Sequence, residues 1–594
     1  MNNKKKNLIY ISIILFITII LFFKLFTNTR LYGHDTIFHT SNIISLSKTI
    51  SLKHITGLNI IQTPVDKFGY GTWLFYPKLP HLLGAYLYLI TKNIYTSMNI
   101  IYFITTFLSG IVMYMLSKKI FKNNIVALLS AVIYLTFPYH VTEIYIRDAF
   151  AENFMFLALP LIFLGLSYLK DNNYKLFYIL FILGYLIGMY SHLISMVFTT
   201  IFVALYLIYF KEEFMKREKI KALLISTIIV TFITLPFLVT LIEHKSLNLY
   251  SVYLNKNFTN RETVVYRVLD FKRLYNGYPM FDKIRPYTSK IVIVLLILSL
   301  ITNLIFKKKI ENKKELKFIF TINIILITML CSKVFWKNVP EILLMIQFPW
   351  RLLTFLSLFV SLYSVSVLIN IFNILSKKVL KNIIKASSIA IAIVLIIISV
   401  NKIEYYGDKQ YTEKNVINNI YSLGWQFEYL PYNQLFDRVY IGKQNEEKFS
   451  SKYRFYFNND NYDLIPEDDR VKTTITLDNF PNMKFKIENI NDNTRIEIPR
   501  TYYLGYQLKD EDGNNIELYN DAHGMLGATI TSDGQYNLKY TKTILERMAI
   551  VIRNITIIII ILYISRRVYE KRNNSGTNTM LQRKTNHKKS NKRL

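Results

Sequence analysis

Long apolar segments recur along this chain and are separated by short polar ones. An α-helix needs about 20 apolar residues to cross the hydrocarbon core of a bilayer, and runs near this length start close to residues 8, 98, 152, 222, 350 and 547. Helices can span a bilayer because they satisfy their backbone polar groups internally. The sequence therefore predicts a polytopic α-helical membrane protein.

Lysine and arginine are concentrated in alternate segments between the apolar runs. Examples are the lysines at 4–6 and the segments KKKIENKKELK and SKKVLKNIIK. Because cytoplasmic loops are enriched in Lys and Arg, these segments and both termini are predicted to be cytoplasmic. This topology has about twelve membrane spans, at 8–27, 98–117, 124–140, 152–169, 176–191, 194–210, 222–241, 290–306, 317–334, 350–373, 384–400 and 547–565.

A weaker apolar stretch at 79–91 lies within the first external loop, which covers 28–97. Pro77 and Pro80 stand at its start, and proline is well suited to the first turn of a helix. Counting this stretch as a full span would place the later lysine-rich segments outside, against the charge rule. We therefore predict a juxtamembrane helix that lies at the membrane surface.

Residues 402–546 are polar and are predicted to form an extracytoplasmic β-sandwich before the last span. The segments VKTTITL, RIEIP, YYLGYQLK and QYNLKY are rich in β-branched and aromatic residues, which favour strands. EDGNN and SDGQY supply Asp-Gly pairs, which are typical of tight turns between strands. The predicted organisation is a transmembrane domain at 1–401, a β-domain at 402–546, a final helix at 547–565 and a basic cytoplasmic tail at 566–594.

Charge, cysteine content and motifs exclude several classes of function. The formal net charge of +32 would suggest a nucleic-acid partner for a soluble protein, but here the Lys and Arg residues follow the membrane topology, so no nucleic-acid partner is expected. Cys331 is the single cysteine, and an exported β-domain without disulfides indicates a bacterial cell membrane. The sequence has no Walker A loop or Rossmann fingerprint, which argues against nucleotide chemistry. It also lacks the GxSxG motif of serine hydrolases.

Asp35 follows the first predicted span in the segment GHDTIFHTSN. If residues 36–48 form a helix, Asp35, His39 and Asn42 are spaced i, i+4 and i+7 and share one face. A carboxylate there suits a general base, but Asp35 is equally suited to cap the helix N-terminus. A divalent-metal site formed by His34, Asp35 and His39 is a third alternative. The spacing is not diagnostic of such a site, and no metal is firmly predicted.

Further ionisable residues are predicted to lie at the same external face of the membrane. Arg147, Asp148 and Glu152 lie in EIYIRDAFAEN, His192 follows a span end, and Arg351 lies in QFPWR. Asp148 and Glu152 are spaced i, i+4 and share a face if this segment is helical. Polar groups at membrane depth are costly and tend to face a cavity or a partner. Arg147 or Arg351 could hold a phosphate, and Asp148, Glu152 and His192 could support an acceptor. The alternatives are local salt bridges, a favourable helix-dipole interaction for the acids, and a structural role for His192.

The order of these motifs is similar to that of a known group of membrane proteins. GHDTIFH is followed by GYGTWLFYPKLPHLLGAYLYLI, a span ending in SKKIF, YIRDAFAENFMFLALPLIFL, SHL and IQFPWRLL. The chain resembles bacterial membrane proteins of the YfhO type and the related group labelled 6-pyruvoyl-tetrahydropterin-synthase-related. More remotely, it resembles GT-C glycosyltransferases, including the aminoarabinose and protein-mannosyl transferases.

This resemblance implies transfer of a sugar from a polyprenyl-phosphate donor to an extracytoplasmic cell-envelope glycan or polymer. In GT-C enzymes an acidic residue of the first external loop is the catalytic base, a role that maps here to Asp35. Many members carry a pair of acidic residues at this point, whereas this chain has His34 and Asp35. Two other functions stay open at the level of sequence: a flippase or transporter of a lipid-linked glycan, and a non-enzymatic scaffold of the cell envelope.

Overall fold

The computed structural model describes residues 3–26, 29–31, 33–63, 66–254, 259–276, 288, 290–305, 312–366, 368, 378–406, 410–412, 428–431 and 463–590. This part of the chain is mostly helical up to residue 406, β-rich between 465 and 540, and helical again at its C-terminal end.

The α-helices cover Asn3–Phe22, Thr36–Thr49, Thr72–Phe75, Leu79–Thr91, Ile94–Phe121, Asn124–Leu135, Pro138–Thr142, Met155–Lys170, Tyr174–Met189, Leu193–Tyr209, Lys211–Phe214, Arg217–Ser246, Ser251–Leu254, Arg261–Tyr266, Phe271–Asn276, Lys290–Ile305, Lys313–Cys331, Lys333–Asn338, Leu353–Ser364, Lys378–Tyr406 and Ile544–Ser590. Short 3-10 segments cover Phe23–Phe26, Glu152–Phe154, Glu341–Ile346 and Pro349–Leu352. A π-helical turn covers Glu143–Arg147.

Several of these helices are long and apolar enough to cross a membrane. Within the described residues they are Ile94–Phe121, Glu152–Lys170, Arg217–Ser246 and Ile544–Arg567. A fifth span would combine Asn124–Leu135 with Pro138–Arg147, which meet at a bend of 42°. Pro138 explains the bend, because proline lacks a backbone N–H and disfavours a helical conformation at the preceding residue.

Shorter apolar helices of 10–17 residues are also present. They cover Asn7–Phe22, Leu79–Thr91, Tyr174–Met189, Leu193–Tyr209, Ile293–Ile305 and Ala386–Val400. Helical structure is therefore found at each of the twelve predicted span positions. Their number and orientation in the membrane stay predictions.

The predicted juxtamembrane helix forms at Leu79–Thr91, with Pro80 in its first turn. Its 13 residues extend about 20 Å at 1.5 Å per residue, which is shorter than the hydrocarbon core of a bilayer. It packs on the Thr36–Thr49 helix, since a Cβ on Gly84 would lie 2.8 Å from Cδ1 of Ile43. This contact supports the helix that begins directly after Asp35.

Glycines allow the Met155–Lys170 and Tyr174–Met189 helices to approach each other closely. A Cβ on Gly165 would lie 2.9 Å from the backbone nitrogen of Phe181, and a Cβ on Gly184 would lie 3.0 Å from the carbonyl oxygen of Ala158. Small residues at helix interfaces permit such backbone approach in membrane proteins.

Gly184→Val is expected to destabilise the protein by roughly 1–3 kcal/mol, because the added carbons meet backbone atoms that cannot move aside. Leu183→Val is the matched control, since Leu183 lies on the same helix and is 46% exposed. Thermal unfolding of the two purified variants in detergent measures the difference. Equal melting temperatures would contradict the close helix contact.

Two antiparallel sheets form the β-domain. In spatial order, one contains Asn515–Ile516, Tyr506–Lys509, Gly534–Tyr540, Asn482–Glu488 and Lys472–Asn479, and the other contains Leu518–Asn520, Met525–Ile530, Thr494–Thr501 and Ile465–Pro466. Phe485 and Leu538 of the first sheet share one hydrophobic core with Ile498 and Leu526 of the second. The described residues thus form the predicted sandwich. The sequence analysis missed the strands Asn482–Glu488 and Met525–Ile530 and the short strands Ile465–Pro466, Asn515–Ile516 and Leu518–Asn520.

Small strand pairs and the final helix complete the fold. Thr29–Leu31 pairs with Gln410–Thr412, and Ile61–Thr63 pairs with Asp66–Tyr70. The last helix begins at Ile544, three residues before the predicted span, and continues to Ser590 through most of the predicted basic tail.

The β-domain packs directly on the segment around Gly71, which follows the Thr36–Thr49 helix. The hydroxyl of Tyr503 donates to the carbonyl of Tyr429 at 2.9 Å and accepts from the backbone N–H of Gly71 at 3.0 Å. The ring of Tyr503 also stacks on Tyr250, with centroids 5.6 Å apart. Residues 428–431 are therefore held between the first external loop and the sandwich.

Candidate functional site

Asp35 occupies the N-cap position of the Thr36–Thr49 helix, but its carboxylate does not cap that helix. Its backbone N–H donates to the carbonyl of Arg147 at 3.0 Å, and its Oδ2 lies 3.7 Å from Nη2 of Arg147. The Asp35 side chain is 40% exposed, whereas that of Arg147 is 7% exposed. The capping alternative is therefore wrong for the side chain, and the carboxylate is instead partly exposed to water.

Gly33 allows the chain before Asp35 to lie directly on the segment around Arg147. A Cβ at Gly33 would lie 2.6 Å from Cβ of Asp148 and 2.8 Å from the carbonyl oxygen of Ile146. No larger residue fits without displacing backbone. This close approach fixes the position of Asp35 relative to Arg147.

Both carboxylate oxygens of Asp148 accept hydrogen bonds from residues on neighbouring helices. Oδ2 accepts from the hydroxyl of Thr36 at 2.6 Å, and Oδ1 accepts from the hydroxyl of Tyr102 at 2.9 Å. Asp148 is 1% exposed. The geometry thus places this predicted acceptor-binding carboxylate in a buried structural contact.

Asp148 and Glu152 do not share a helical face, so that part of the sequence analysis is wrong. Asp148 adopts a left-handed backbone with φ of 55°, which ends the turn at Glu143–Arg147. A separate 3-10 turn then begins at Glu152. The break directs the two carboxylates to different partners.

Glu152 is the centre of a buried charge network. Its Oε2 accepts from Nη1 of Arg147 at 3.1 Å and from Nε of Arg351 at 3.3 Å, and Nε2 of His192 lies 4.0 Å away. Nη1 of Arg147 also donates to Oε1 of Glu143 at 2.6 Å. Arg147 is thus enclosed by carboxylates, which makes it a poor phosphate ligand.

Arg351 contacts fewer carboxylates than Arg147 does. Besides Glu152, its Nη1 donates to the carbonyl of Ile346 at 2.9 Å and to Oε1 of Gln347 at 2.8 Å. Among the described residues Nη2 makes no hydrogen bond, and the side chain is 11% exposed. Arg351 is therefore the better candidate for binding an anion.

The histidines and the asparagine near Asp35 have separate partners. Nδ1 of His39 shares a 2.8 Å hydrogen bond with Nε2 of His81, and Oδ1 of Asn42 accepts from Thr72 at 2.8 Å. In the described part of the chain, His34, Asp35 and His39 do not gather three ligand atoms within metal-binding reach. A metal ion at these residues stays an alternative that this arrangement does not support.

His34 and His192 are both held in the neutral form at pH 7. Loss of hydration and the nearby Arg147 lower the pKa of His34 to about 4. Burial lowers the pKa of His192 to about 4, although Glu152 opposes this, and Nδ1 of His192 shares a 2.7 Å hydrogen bond with Ser195. The cationic groups that face Glu152 are therefore the arginines.

Two residues beside Asp35 were missed by the sequence analysis. Loss of hydration and the carboxylate of Asp35 raise the pKa of Glu428 to about 7, and Arg351 opposes this. Burial and the same carboxylate raise the pKa of Tyr76, which Arg351 again opposes. Asp35, Glu428, Tyr76 and Arg351 are thus close enough to interact electrostatically. The only sequence signal was a lone acid in the aromatic segment WQFEYLPY.

The pKa of Asp35 is also raised. Removal from bulk water raises it, and the neighbouring Arg147 and Arg351 guanidiniums offset only part of this effect. Water still reaches 40% of the side chain. A raised carboxyl pKa makes Asp35 a stronger base once it is ionised.

Comparison with known proteins finds a distant likeness to solved structures. No family model matches the chain, and no curated protein matches it. A solved structure similar to it is the crystal structure of the Archaeoglobus fulgidus oligosaccharyltransferase in the apo form, with 14% sequence identity and a TM-score of 0.42. The match covers 77% of this chain and 60% of that one, so the chain spans about 60% of the length of that protein.

Proposed function

We propose that this protein is a membrane glycosyltransferase that moves a sugar from a polyprenyl-phosphate donor to a hydroxyl of an extracytoplasmic cell-envelope glycan or polymer. The observation that carries the proposal is the state of Asp35. Its carboxylate does not cap the helix and is partly exposed to water. The neighbouring acids Asp148 and Glu152 are buried in hydrogen bonds. This matches the role that the sequence resemblance implies for the first-loop acid.

In this mechanism Asp35 accepts the proton of the acceptor hydroxyl while that oxygen attacks the anomeric carbon of the sugar. The new glycosidic bond forms as the bond from the anomeric carbon to the phosphate oxygen breaks. The electron pair leaves with polyprenyl phosphate, which departs as an anion and needs no general acid. Arg147, 3.7 Å from Asp35, favours the ionised state of the base before each turnover.

Arg351 is the proposed ligand of the donor phosphate. Its Nε and Nη1 are fixed by Glu152, Ile346 and Gln347, which leaves Nη2 to meet a phosphate oxygen. A guanidinium held in this way needs little reorganisation to stabilise the charge that develops on the leaving phosphate. Arg147 belongs to the same network and acts through Asp35 and Glu152.

A direct test uses the purified protein with lipid-linked sugars and envelope polymer extracted from the host. Release of polyprenyl phosphate, measured by mass spectrometry, is expected only when both substrates are present. Labelled sugar should appear in the polymer in equal amount. Movement of the intact lipid-linked sugar across a vesicle membrane without release of polyprenyl phosphate would instead support a flippase.

The pH dependence of transfer is expected to depend on Glu428. Transfer should fall as the pH decreases, because Asp35 must be ionised to act as a base. The ionised carboxylate of Asp35 helps to raise the pKa of Glu428 to about 7, so Glu428 ionises near neutral pH, after Asp35. Glu428→Gln should therefore remove an inflection of the rate profile near pH 7 and retain the fall in rate at lower pH, which belongs to Asp35.

The control for this measurement is Glu467→Gln, since Glu467 is exposed on the β-domain. Its rate profile should coincide with that of the unmodified protein. A Glu428→Gln profile that also coincides would show that Glu428 does not act on the base.

A further inference from the structure

A second cluster of ionisable side chains lies in the β-domain, away from Asp35. Glu497 lies on the Thr494–Thr501 strand, while Asp521 and His523 lie in the turn between Leu518–Asn520 and Met525–Ile530. One ligand atom from each of the three side chains lies within 4.8 Å of the other two. Glu497 is opposite Gly527 in the strand ladder, so the turn folds back over the strand.

The three side chains are partly buried and closely packed. Nδ1 of His523 lies 2.5 Å from Oε2 of Glu497 and 3.8 Å from Oδ2 of Asp521. The side chains are 19%, 10% and 14% exposed for His523, Glu497 and Asp521. Two carboxylates and one imidazole therefore converge in a region with little access to water.

Asp521 is oriented toward the cluster by the backbone of its own turn. Its Oδ1 accepts from the N–H groups of His523 and Met525 at 2.8 and 2.9 Å, which directs Oδ2 toward His523. Oδ2 of Asp521 and Oε2 of Glu497 therefore face the same ring nitrogen of His523. Two carboxylates this close repel one another when both are ionised, and a bound cation would relieve that repulsion.

We propose that Glu497, Asp521 and His523 bind a divalent transition-metal ion of the Zn²⁺ or Mn²⁺ class, with water completing the coordination. One imidazole and two carboxylates suit such ions, whereas Ca²⁺ and Mg²⁺ prefer sites made of oxygen ligands alone. Ligand atoms about 2.1 Å from a tetrahedral Zn²⁺ lie about 3.4 Å apart. The present spacings of 2.5 Å between His523 and Glu497 and 3.8 Å between His523 and Asp521 lie on either side of that value.

The ion would fix the turn against residues 428–431, the segment that includes Glu428. A Cβ on Gly524, within the turn, would lie 3.2 Å from Cβ of Pro431, and Pro431 bridges to Tyr250. Pro431 lies three residues after Glu428. The inferred role is structural support of residues 428–431, and it does not depend on the proposed transferase activity.

Ion binding can be measured on the full-length protein in detergent after treatment with a chelator. Zn²⁺, Mn²⁺, Ca²⁺ and Mg²⁺ are added separately, with thermal unfolding and metal content as readouts. Zn²⁺ or Mn²⁺ should raise the melting temperature saturably, because a ligand that binds only the folded state stabilises it. One equivalent per chain should be retained, and Ca²⁺ and Mg²⁺ should have a much smaller effect.

Asp521→Asn and His523→Ala are the test variants, and Asp469→Asn at an exposed site is the control. Asp521→Asn retains an oxygen that can accept the amide hydrogen bonds of the turn, so the fold should be preserved. Both test variants should weaken ion binding at least tenfold, while Asp469→Asn should bind normally. Absence of saturable binding in the unmodified protein, or equal binding in all variants, would overturn the proposal.

Discussion

Replacing Asp35 with asparagine is expected to reduce sugar transfer at least 100-fold while the protein stays folded. A positioned general base contributes roughly 10²- to 10⁴-fold to a rate, and asparagine cannot accept the proton. The substitution should cost little stability, because the Asp35 side chain does not cap its helix and is 40% exposed. Polyprenyl phosphate release and the melting temperature are measured on the same preparation.

Asp469→Asn makes the same chemical change at an exposed site of the β-domain and should leave both values unchanged. Binding of the donor lipid should also persist in Asp35→Asn, since Arg351 and not Asp35 is assigned to the phosphate. Loss of donor binding together with transfer would assign Asp35 to binding. Full transfer in Asp35→Asn would remove the general base from the mechanism.

Replacing Glu152 with glutamine is expected to produce the largest loss of stability among substitutions around the site. The carboxylate of Glu152 accepts from Arg147 at 3.1 Å and from Arg351 at 3.3 Å. Removing one partner of a buried ion pair typically costs 3–5 kcal/mol, because the remaining charge is left uncompensated. Thermal or denaturant unfolding in detergent gives the magnitude.

Glu341→Gln is the control, since Glu341 is exposed and lies close in sequence to Arg351. A small effect of Glu341→Gln beside a large effect of Glu152→Gln would localise the loss to the buried network. If the two variants unfold alike, the network contributes no more than a surface charge does.

Local sequence signals predicted the elements around the site. Pro80 and the apolar run after it indicated the Leu79–Thr91 helix, and the pattern after Asp35 indicated a helix that forms at Thr36–Thr49. These predictions succeeded because proline geometry and the properties of short segments act within a few residues. The position of Asp35 at a helix start followed from the same reasoning.

Contacts between segments that are distant in sequence could not be predicted from these local signals. Glu428 is placed near Asp35 by packing across almost 400 residues of chain, with Tyr503 holding the adjacent Tyr429. The shared face predicted for Asp148 and Glu152 failed because Asp148 has a left-handed backbone. That conformation accompanies tertiary hydrogen bonds to Thr36 and Tyr102, which no local pattern reports.

The most direct test of the central claim is the surface-glycan profile of the native host, measured by mass spectrometry. A deletion strain is complemented with the unmodified protein or with Asp35→Asn at equal protein level. The account predicts that deletion removes a sugar from an envelope polymer and that Asp35→Asn does not restore it. Full restoration of that sugar by Asp35→Asn would contradict the assignment of Asp35 as the base for glycosyl transfer.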